Sequence, residues 1–498
     1  MKKLSLLYLL LLPTFVFGQE KDLDQKIDGF IQPIVDVLGS FIFFKPLEKI
    51  GFGMPLVVLW LMIGAVFFTF YMKVLSIEKL KHAYRLIRGD YDKLDGEGEV
   101  SHFQALSTAL SGTVGLGNIA GVAVAISIGG AGATFWMIVA GFLGMSSKFV
   151  ECTLGVKYRR VNNLGEVSGG PMYYLSDGLK KKGFARLGKF LAILFAILCV
   201  GGSLGGGNMF QANQSFAQFV SVFPFFEGKG FYYGIVVSVL VAVVIIGGIR
   251  KIANVTDKLV PLMVVIYVSV SLLIIFMNFS YIDDAFKQIF AGAFTSGGVT
   301  GGVFGALIVG FQRAAFSNEA GVGSAAIAHS AVKTEEPVSE GIVALLGPFI
   351  DTVLICTMTA LVLVFTGYAT DTGGMTGAAL TSAAFSSVLP WFKYILLLSV
   401  FLFAFSTMIA WSYYGMKAWG FLFGNNKRAE NLYKFVFLVF IILGSSASLN
   451  AVIDFSDMML LGMGFPNVLG LFFFSGEIKR DVADYFKRLK SGEIKRYN

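Results

Sequence analysis

Charge is scarce in this chain. Asp, Glu, Lys and Arg make up 14% of its 498 residues, and 55% are hydrophobic. With a mean hydropathy of +0.72, that composition excludes a soluble domain of this length and places most of the sequence in lipid. Cysteine is scarce too. Cys152, Cys199 and Cys356 all fall inside apolar runs and none stands in a CxxC spacing, so neither a disulfide framework nor a metal cluster is expected. Only three histidines are present, His82, His102 and His329, and none has a metal partner at ligand spacing or a catalytic constellation around it. No enzyme is expected. The net charge of +8 comes from Lys and Arg in the connections between apolar runs, the mark of membrane orientation rather than of nucleic-acid binding.

What the chain does have is a repeat. The stretch Thr113-Val114-Gly115-Leu116-Gly117-Asn118-Ile119-Ala120-Gly121-Val122 interrupts one apolar segment, and Phe316-Ser317-Asn318-Glu319-Ala320-Gly321-Val322 interrupts another. Asn118, Ala120, Gly121, Val122 and Ala125 are matched at one constant offset by Asn318, Ala320, Gly321, Val322 and Ala325. Paired breaks in long apolar helices point to a secondary transporter with its site at the bilayer midplane. Gly117 and Gly121 also fit a small-xxx-small helix contact. The Gly115-x-Gly117-x-x-x-Gly121 string is no dinucleotide fingerprint, because it follows no strand and lies in no βαβ unit.

The apolar runs predict an all-α membrane protein of about eleven transmembrane helices, by the roughly 20 residues needed per crossing. One helix, about 54–72, precedes two five-helix repeats spanning about 103–278 and 299–474, each opening with a broken helix. An odd number of helices per repeat inverts the second copy relative to the first. Lys2 and Lys3, the short apolar run from Leu4 to Leu12 and a break after Gly18 read as a cleavable signal peptide over 1–18. Residues 19–52 then form an amphipathic segment at the outer face, and 53–474 the transporter domain. The mature N-terminus lies outside. Lys and Arg concentrate in Lys73 to Lys93, Lys157 to Lys189, Arg250, Lys251 and the tail 475–498, which puts those segments and the C-terminus in the cytoplasm of an inner-membrane protein. Gly169-Gly170-Pro171 followed by Lys180-Lys181-Lys182 reads as a turn and a basic interfacial helix.

The breaks carry the chemistry. Gly115 and Gly117 let the helix unwind and let a ligand touch its peptide groups. The N–H groups of Leu116, Gly117 and Asn118, at the start of a half-helix, favour a carboxylate. Carbonyls around Arg313 to Phe316 favour an ammonium or a metal cation. A zwitterion satisfies both. The first break has no acidic residue, so a lone amine meets no fixed counter-charge there, whereas an amino acid brings its own carboxylate. Glu319 is either an internal partner, for Arg313 or the half-helix terminus, or a ligand contact. Arg313 reads as a gate or packing charge. The adjacent hydroxyls of Ser406 and Thr407 either bond back to their own helix or join carbonyls of the first break in a Na⁺ site, since hard cations take oxygen ligands. Trp411, one turn on, would then wall the pocket. Gln211 and Asn213 are amides inside an apolar span, marking interhelical contact or a pathway.

At these residues the chain resembles the alanine or glycine:cation symporter family, the sodium/alanine symporters of prokaryotes. The likeness rests on Gly115 to Ala123, on Lys148-Phe149-Val150-Glu151-Cys152-Thr153-Leu154 with Lys157-Tyr158-Arg159, and on Gly169-Gly170-Pro171-Met172-Tyr173-Tyr174. It continues through Phe316 to Ala325, Ala328-His329 and Trp411-Ser412-Tyr413-Tyr414-Gly415. The resemblance implies a fold similar to the amino-acid, polyamine and organocation transporters, in which Na⁺ drives uptake of small neutral amino acids. It implies substrate contacts at Thr113, Gly115, Leu116, Gly117, Asn118, Gln211, Phe316, Ser317, Asn318 and Trp411, with the carboxylate on Leu116 and Gly117. It also implies a Na⁺ site from the carbonyls of Ser111, Val114 and Phe403 with the Ser406 and Thr407 hydroxyls.

The expectation is therefore a symporter that imports alanine or glycine with Na⁺ by alternating access, with no cofactor beyond the coupling ion. Its partners are the amino acid, Na⁺ and the bilayer. Glycine spacing specifies no oligomer. The alternatives are proton coupling for a related amino acid, a sensor that binds without net flux, and a channel. A channel needs a continuous polar path, whereas the polar residues here gather at one depth.

Overall fold

The structure, a computed structural model, describes residues 39–50, 53–91, 97–162, 165–294 and 302–497. The expected leader, 1–18, and residues 19–38 of the segment after it lie outside the described residues. The rest is almost entirely helical, as lipid demands of backbone that must satisfy its own hydrogen bonds. Among the described residues, seven helices are long and apolar enough to cross a membrane, and nine if each of two bent pairs is one span. The apolar helix Gly230–Ile245 and the interrupted pair Gly302–Asn318 and Ala325–His329 occupy the other places in the expected order.

Burial separates an inner bundle from an outer shell. In the most apolar window of Gly248–Met277 33% of residues are buried, against 67% in Phe392–Phe423 and in Gly132–Lys157, so the first faces lipid and the other two lie within the protein. Gly132–Lys157 packs against Leu56–Met72, Gly302–Asn318, Ala325–His329 and Pro337–Ala344. Its small residues allow this: a Cβ on Gly144 would stand 2.7 Å from Ala320 Cβ, and one on Gly155 2.7 Å from the Ala326 oxygen. The second break therefore lies directly on a flat glycine face.

Several segments that read as connections are ordered helices. Ile77–Ile87 turns 96° from Leu56–Met72 and buries His82, Ala83 and Leu86. Ser76 accepts from the Lys79 N–H at its start, a cap that fixes the turn. Ile282–Phe294 and Gly377–Val388 are similar short helices between spans. The basic connection forms a small hairpin, Arg160–Val161 against Val167–Ser168, followed by Pro171–Tyr173 and short helical turns to Lys181. The tail from residue 475 is helical as far as Ser491.

Candidate functional site

Both interrupted helices are broken, though not at equivalent points. The first runs His102–Thr113, opens at Val114 to Leu116, and resumes through a wide turn Gly117–Gly121 into Val122–Gly129, with its halves bent by 51°. The second stays helical through Asn318 and opens at Glu319 to Ser324. Of the carbonyls expected to be free around Arg313 to Phe316, those up to Ala315, which accepts the Glu319 N–H at 3.1 Å, lie inside the helix, and Phe316 falls in its last turn, so the second opening is later than the sequence suggested. Glu319 there has φ 55°, left-handed for a residue with a side chain, and Gly321 and Gly323 follow at 81° and 95°. The glycines enter that region freely and the glutamate does not, at a cost of about 1–2 kcal/mol. Its side chain compensates: Oε1 accepts from Trp411 Nε1 at 3.1 Å and Oε2 accepts from the Ser324 hydroxyl.

Between the breaks lies a small cavity lined by Gly112, Thr113, Gly117, Gly206, Gln211, Phe316, Glu319, Thr407, Trp411 and Leu460. Its volume is about 10 Å³, the space of one water centre, so a substrate must widen it. Of the expected contacts, Thr113, Gly117, Gln211, Phe316 and Trp411 line it. Leu116 reaches it through Gln211, whose Oε1 accepts the Leu116 N–H at 3.0 Å and whose Nε2 donates to the Gly206 oxygen at 2.8 Å. Gly115 packs tightly against the facing helix: a Cβ there would stand 2.3 Å from Thr407 Oγ1. Trp411 spans the cavity, its Nε1 also 3.2 Å from the Gly112 oxygen, and its ring leaves Gly207 no room for a Cβ.

Asn118, Ser317 and Asn318 point elsewhere. Asn118 Nδ2 donates to Asp351 Oδ1 at 2.7 Å and the Ser317 hydroxyl donates to Asp351 Oδ2 at 2.9 Å. Asn318 Nδ2 donates to Thr352 Oγ1 at 2.9 Å. These three surround a buried carboxylate that sequence reading passed over. Asp351 sits in an apolar run with no local motif, and only the break residues turning toward it reveal its place.

The residues expected at the cation position do converge. Thr407 Oγ1 donates to the Ser111 oxygen at 2.9 Å, Ser111 Oγ to the Ser406 oxygen at 2.6 Å, and Ser406 Oγ to the Phe403 oxygen at 2.9 Å. Both sequence readings of the pair thus have a counterpart, since Ser406 bonds within its own helix and Thr407 bonds across to the break. Val114 is fully buried in the opening itself. Hydroxyl and carbonyl oxygens from two helices suit a hard monovalent cation.

The structure corrects the charge pairing. Arg313 pairs with Asp457 on the helix Leu449–Gly462, not with Glu319. Gln312 Nε2 donates to the same carboxylate at 3.0 Å, and the guanidinium lies 5.3 Å from the Phe316 ring centre. Lys148, also unassigned from sequence, donates to the Asn318 oxygen at 2.9 Å and stands 3.7 Å from Glu151. Glu151 in turn accepts from Asn467 Nδ2 at 3.0 Å, a nitrogen that also reaches the Gly321 oxygen at 2.9 Å. The second break is thus clasped by the residues of the Lys148 to Glu151 motif.

Four likenesses join this geometry. The sodium:alanine symporter family model matches residues 41–498. The sodium/alanine symporter AgcS of Methanococcus maripaludis is 39% identical over 447 residues, covering 89% of this chain and 96% of the relative. A probable sodium/glutamine symporter of Bacillus subtilis, GlnT, is 33% identical over 440 residues, covering 88% and 89%. The crystal structure of MhsT in complex with L-phenylalanine matches with a TM-score of 0.53 at 14% identity, covering 78% of this chain and 99% of that one, which establishes a common fold of inverted repeats with broken first helices. The chain belongs to the sodium:alanine symporter family, the multi-pass membrane proteins that move amino acids together with a cation.

Proposed function

We propose that the protein imports a small neutral amino acid, alanine or glycine, coupled to Na⁺. The observation that carries this reading is the cavity between the breaks: Gly112, Gly117 and Gly206 line it with backbone, while Phe316 and Trp411 close it with rings. Such a site has peptide groups for a carboxylate and little space for a side chain. The carboxylate docks at the opened turn of Leu116 and Gly117. The ammonium meets Glu319, the one acidic side chain among the residues lining the cavity. Widening the pocket then requires Trp411 or Phe316 to give way, which sets the size limit.

Na⁺ binds among the oxygens of Ser111, Val114, Phe403, Ser406 and Thr407, next to Gly115 and the first break. Holding that break in its carboxylate-receiving shape makes each ligand raise the affinity of the other. Rocking of the repeats exposes the site in turn. A larger vestibule, about 910 Å³ and lined by Arg160, Arg250, Lys417, Glu99 and Glu166, lies at the Lys/Arg-rich end of the protein. By the charge rule that end is cytoplasmic, with the mature N-terminus outside and the C-terminus inside an inner membrane.

The test is uptake of labelled alanine into proteoliposomes under an inward Na⁺ gradient, against equal K⁺ and proton gradients. Accumulation with Na⁺ alone is expected. Accumulation driven only by protons would replace the ion. Alanine binding without flux under any gradient would make the protein a sensor.

A further inference from the structure

The first span and the helix after it meet at a corner. Leu56–Met72 exposes Ile63, Val66 and Phe70, which share one face by helical spacing and look into lipid. Just past Phe70, itself 72% exposed, Lys73 takes a left-handed φ of 52° and ends the helix. The chain then turns by 96° into Ile77–Ile87. A helix set nearly at a right angle to a span, directly at its end, lies along the bilayer surface.

That helix has two faces. His82, Ala83 and Leu86 are buried where it packs against His102–Thr113 and Pro337–Ala344, and His82 Nε2 lies 2.8 Å from the Tyr485 hydroxyl. Ile77, Lys81, Tyr84 and the capping residue Arg88 stand at the i, i+4, i+7 and i+11 positions of the other face. All four are exposed, as is Arg85 beside them, Ile77 by 74% and Tyr84 by 61%. Glu78 is the one acid of the helix. Among the described residues Arg88 has Asp90 at 3.5 Å, and neither Lys81 nor Arg85 forms an ion pair. Large apolar side chains interleaved with cations along one face fit a boundary that is apolar on one side and anionic on the other. Continuity with the lipid-facing stripe of the preceding span names the occupant: the bilayer is already in reach, whereas a soluble partner would have to displace it.

We propose that the exposed face of Ile77–Ile87 binds anionic lipid of the cytoplasmic leaflet, with Ile77 and Tyr84 entering the headgroup boundary and Lys81, Arg85 and Arg88 pairing with lipid phosphates. An Arg guanidinium takes two phosphate oxygens at once, and a Lys ammonium acts as a point charge. The proposal rests on the cytoplasmic placement of this end and is independent of which amino acid is carried. The opposite face of the helix leans on the cytoplasmic start of the first interrupted helix and on the helix that follows the second, so lipid bound on one side steadies the elements on the other. Transport in a neutral bilayer is therefore slower than in an anionic one.

Fluorescence quenching tests it in the full-length protein, reconstituted in phosphatidylcholine vesicles with and without phosphatidylglycerol. A bimane label on Tyr84→Cys, the native Cys152, Cys199 and Cys356 being buried, meets in turn a nitroxide attached to the lipid headgroup and aqueous iodide. The lipid nitroxide is expected to quench it more than iodide does, and phosphatidylglycerol to increase that difference. Lys81→Gln should raise the phosphatidylglycerol content giving half the increase by about fivefold, and adding Arg85→Gln and Arg88→Gln should abolish it. Initial alanine uptake should follow the same order, faster with phosphatidylglycerol in the wild type and indifferent to it in the triple variant. A label quenched mainly by iodide overturns the proposal and leaves the face to water or a soluble partner, as does an unchanged phosphatidylglycerol response in the triple variant. Should the triple variant fail to fold, Lys81→Gln alone decides, an unchanged half-point again overturning the proposal. Phosphatidylglycerol-dependent quenching with no uptake in any bilayer would keep the lipid site and remove the transport reading instead.

Discussion

Thr407 donates its hydroxyl to the main-chain oxygen of Ser111 across 2.9 Å, tying the helix Phe392–Phe423 to the first interrupted helix three residues before its opening begins. The bond makes the shape of the break depend on a residue nearly three hundred positions away. It also places two potential cation ligands side by side, which is the physical route by which an ion can hold the carboxylate-receiving turn.

Thr407→Ala is accordingly expected to raise the Na⁺ concentration needed for half-maximal alanine uptake by about tenfold or more, near 1.4 kcal/mol. Ser406→Ala should cost less, because the Ser406 hydroxyl bonds within its own helix to the Phe403 oxygen. The double substitution should abolish stimulation by Na⁺. Uptake measured over a Na⁺ series checks all three, and a double variant with unchanged Na⁺ dependence would place the ion elsewhere.

The two glycines of the first break should differ in tolerance. An added Cβ at Gly115 would lie 2.3 Å from Thr407 Oγ1 and 3.1 Å from Gln211 Oε1, whereas at Gly117 its nearest neighbour is the Ser317 Cα at 3.3 Å. Gly115→Ala should therefore lower uptake by at least about tenfold through displaced Thr407 and Gln211. Gly117→Ala should retain Na⁺ dependence and lose alanine affinity more mildly. Initial-rate uptake at fixed protein level compares them; equal losses would mean the close contact at Gly115 has no role.

Much of this was legible in sequence, and the reason is local. Glycine pairs inside apolar runs mark where a helix can open, and adjacent hydroxyls in a membrane helix have few reasons to be there, so Gly115, Gly117, Ser406 and Thr407 stood out. The exact opening of the second helix did not. Arg313 to Asn318 has no residue that forbids helix, and the break follows from Glu319, Gly321 and Gly323 taking positive φ, which only Gly321 and Gly323 advertise. Asp351 and Asp457 were missed for a different reason. Apart from the adjacent Thr352, the partners of Asp351 are the break residues Ser317 and Asn118, and those of Asp457 are Gln312 and Arg313 on another helix, so almost nothing beside either acid in the chain signals the contact. The same long-range pairing sent Arg313 to Asp457 rather than to nearby Glu319.

Trp411 and Glu319 should separate substrate size from substrate affinity. Trp411→Ala removes the ring that closes the cavity and should admit larger neutral side chains. Trp411→Phe keeps most of the bulk but leaves Glu319 Oε1 without its indole donor, a loss of about 1–3 kcal/mol for a buried group. Glu319→Gln keeps the shape and removes the carboxyl group facing the ammonium, so alanine affinity should fall by about tenfold or more, ~1.4 kcal/mol, while Na⁺ binding persists. Competition of labelled alanine by a series of amino acids reads the first effect and alanine binding the other two. Unchanged range in Trp411→Ala would move the pocket wall away from this ring.

Arg313 and Asp457 form a buried pair between two helices, and breaking it from one side leaves a charge in a low-dielectric interior. Arg313→Met or Asp457→Leu alone should each destabilise the protein by about 3–5 kcal/mol, while the double substitution should recover most of that loss. Thermal unfolding in detergent measures stability and alanine uptake measures function for the same three proteins. If the pair only joins helices, the double variant should regain both. If Arg313 is a moving gate, it should regain stability yet transport slowly, because the second interrupted helix would then have lost the charge contact it releases and remakes in each cycle.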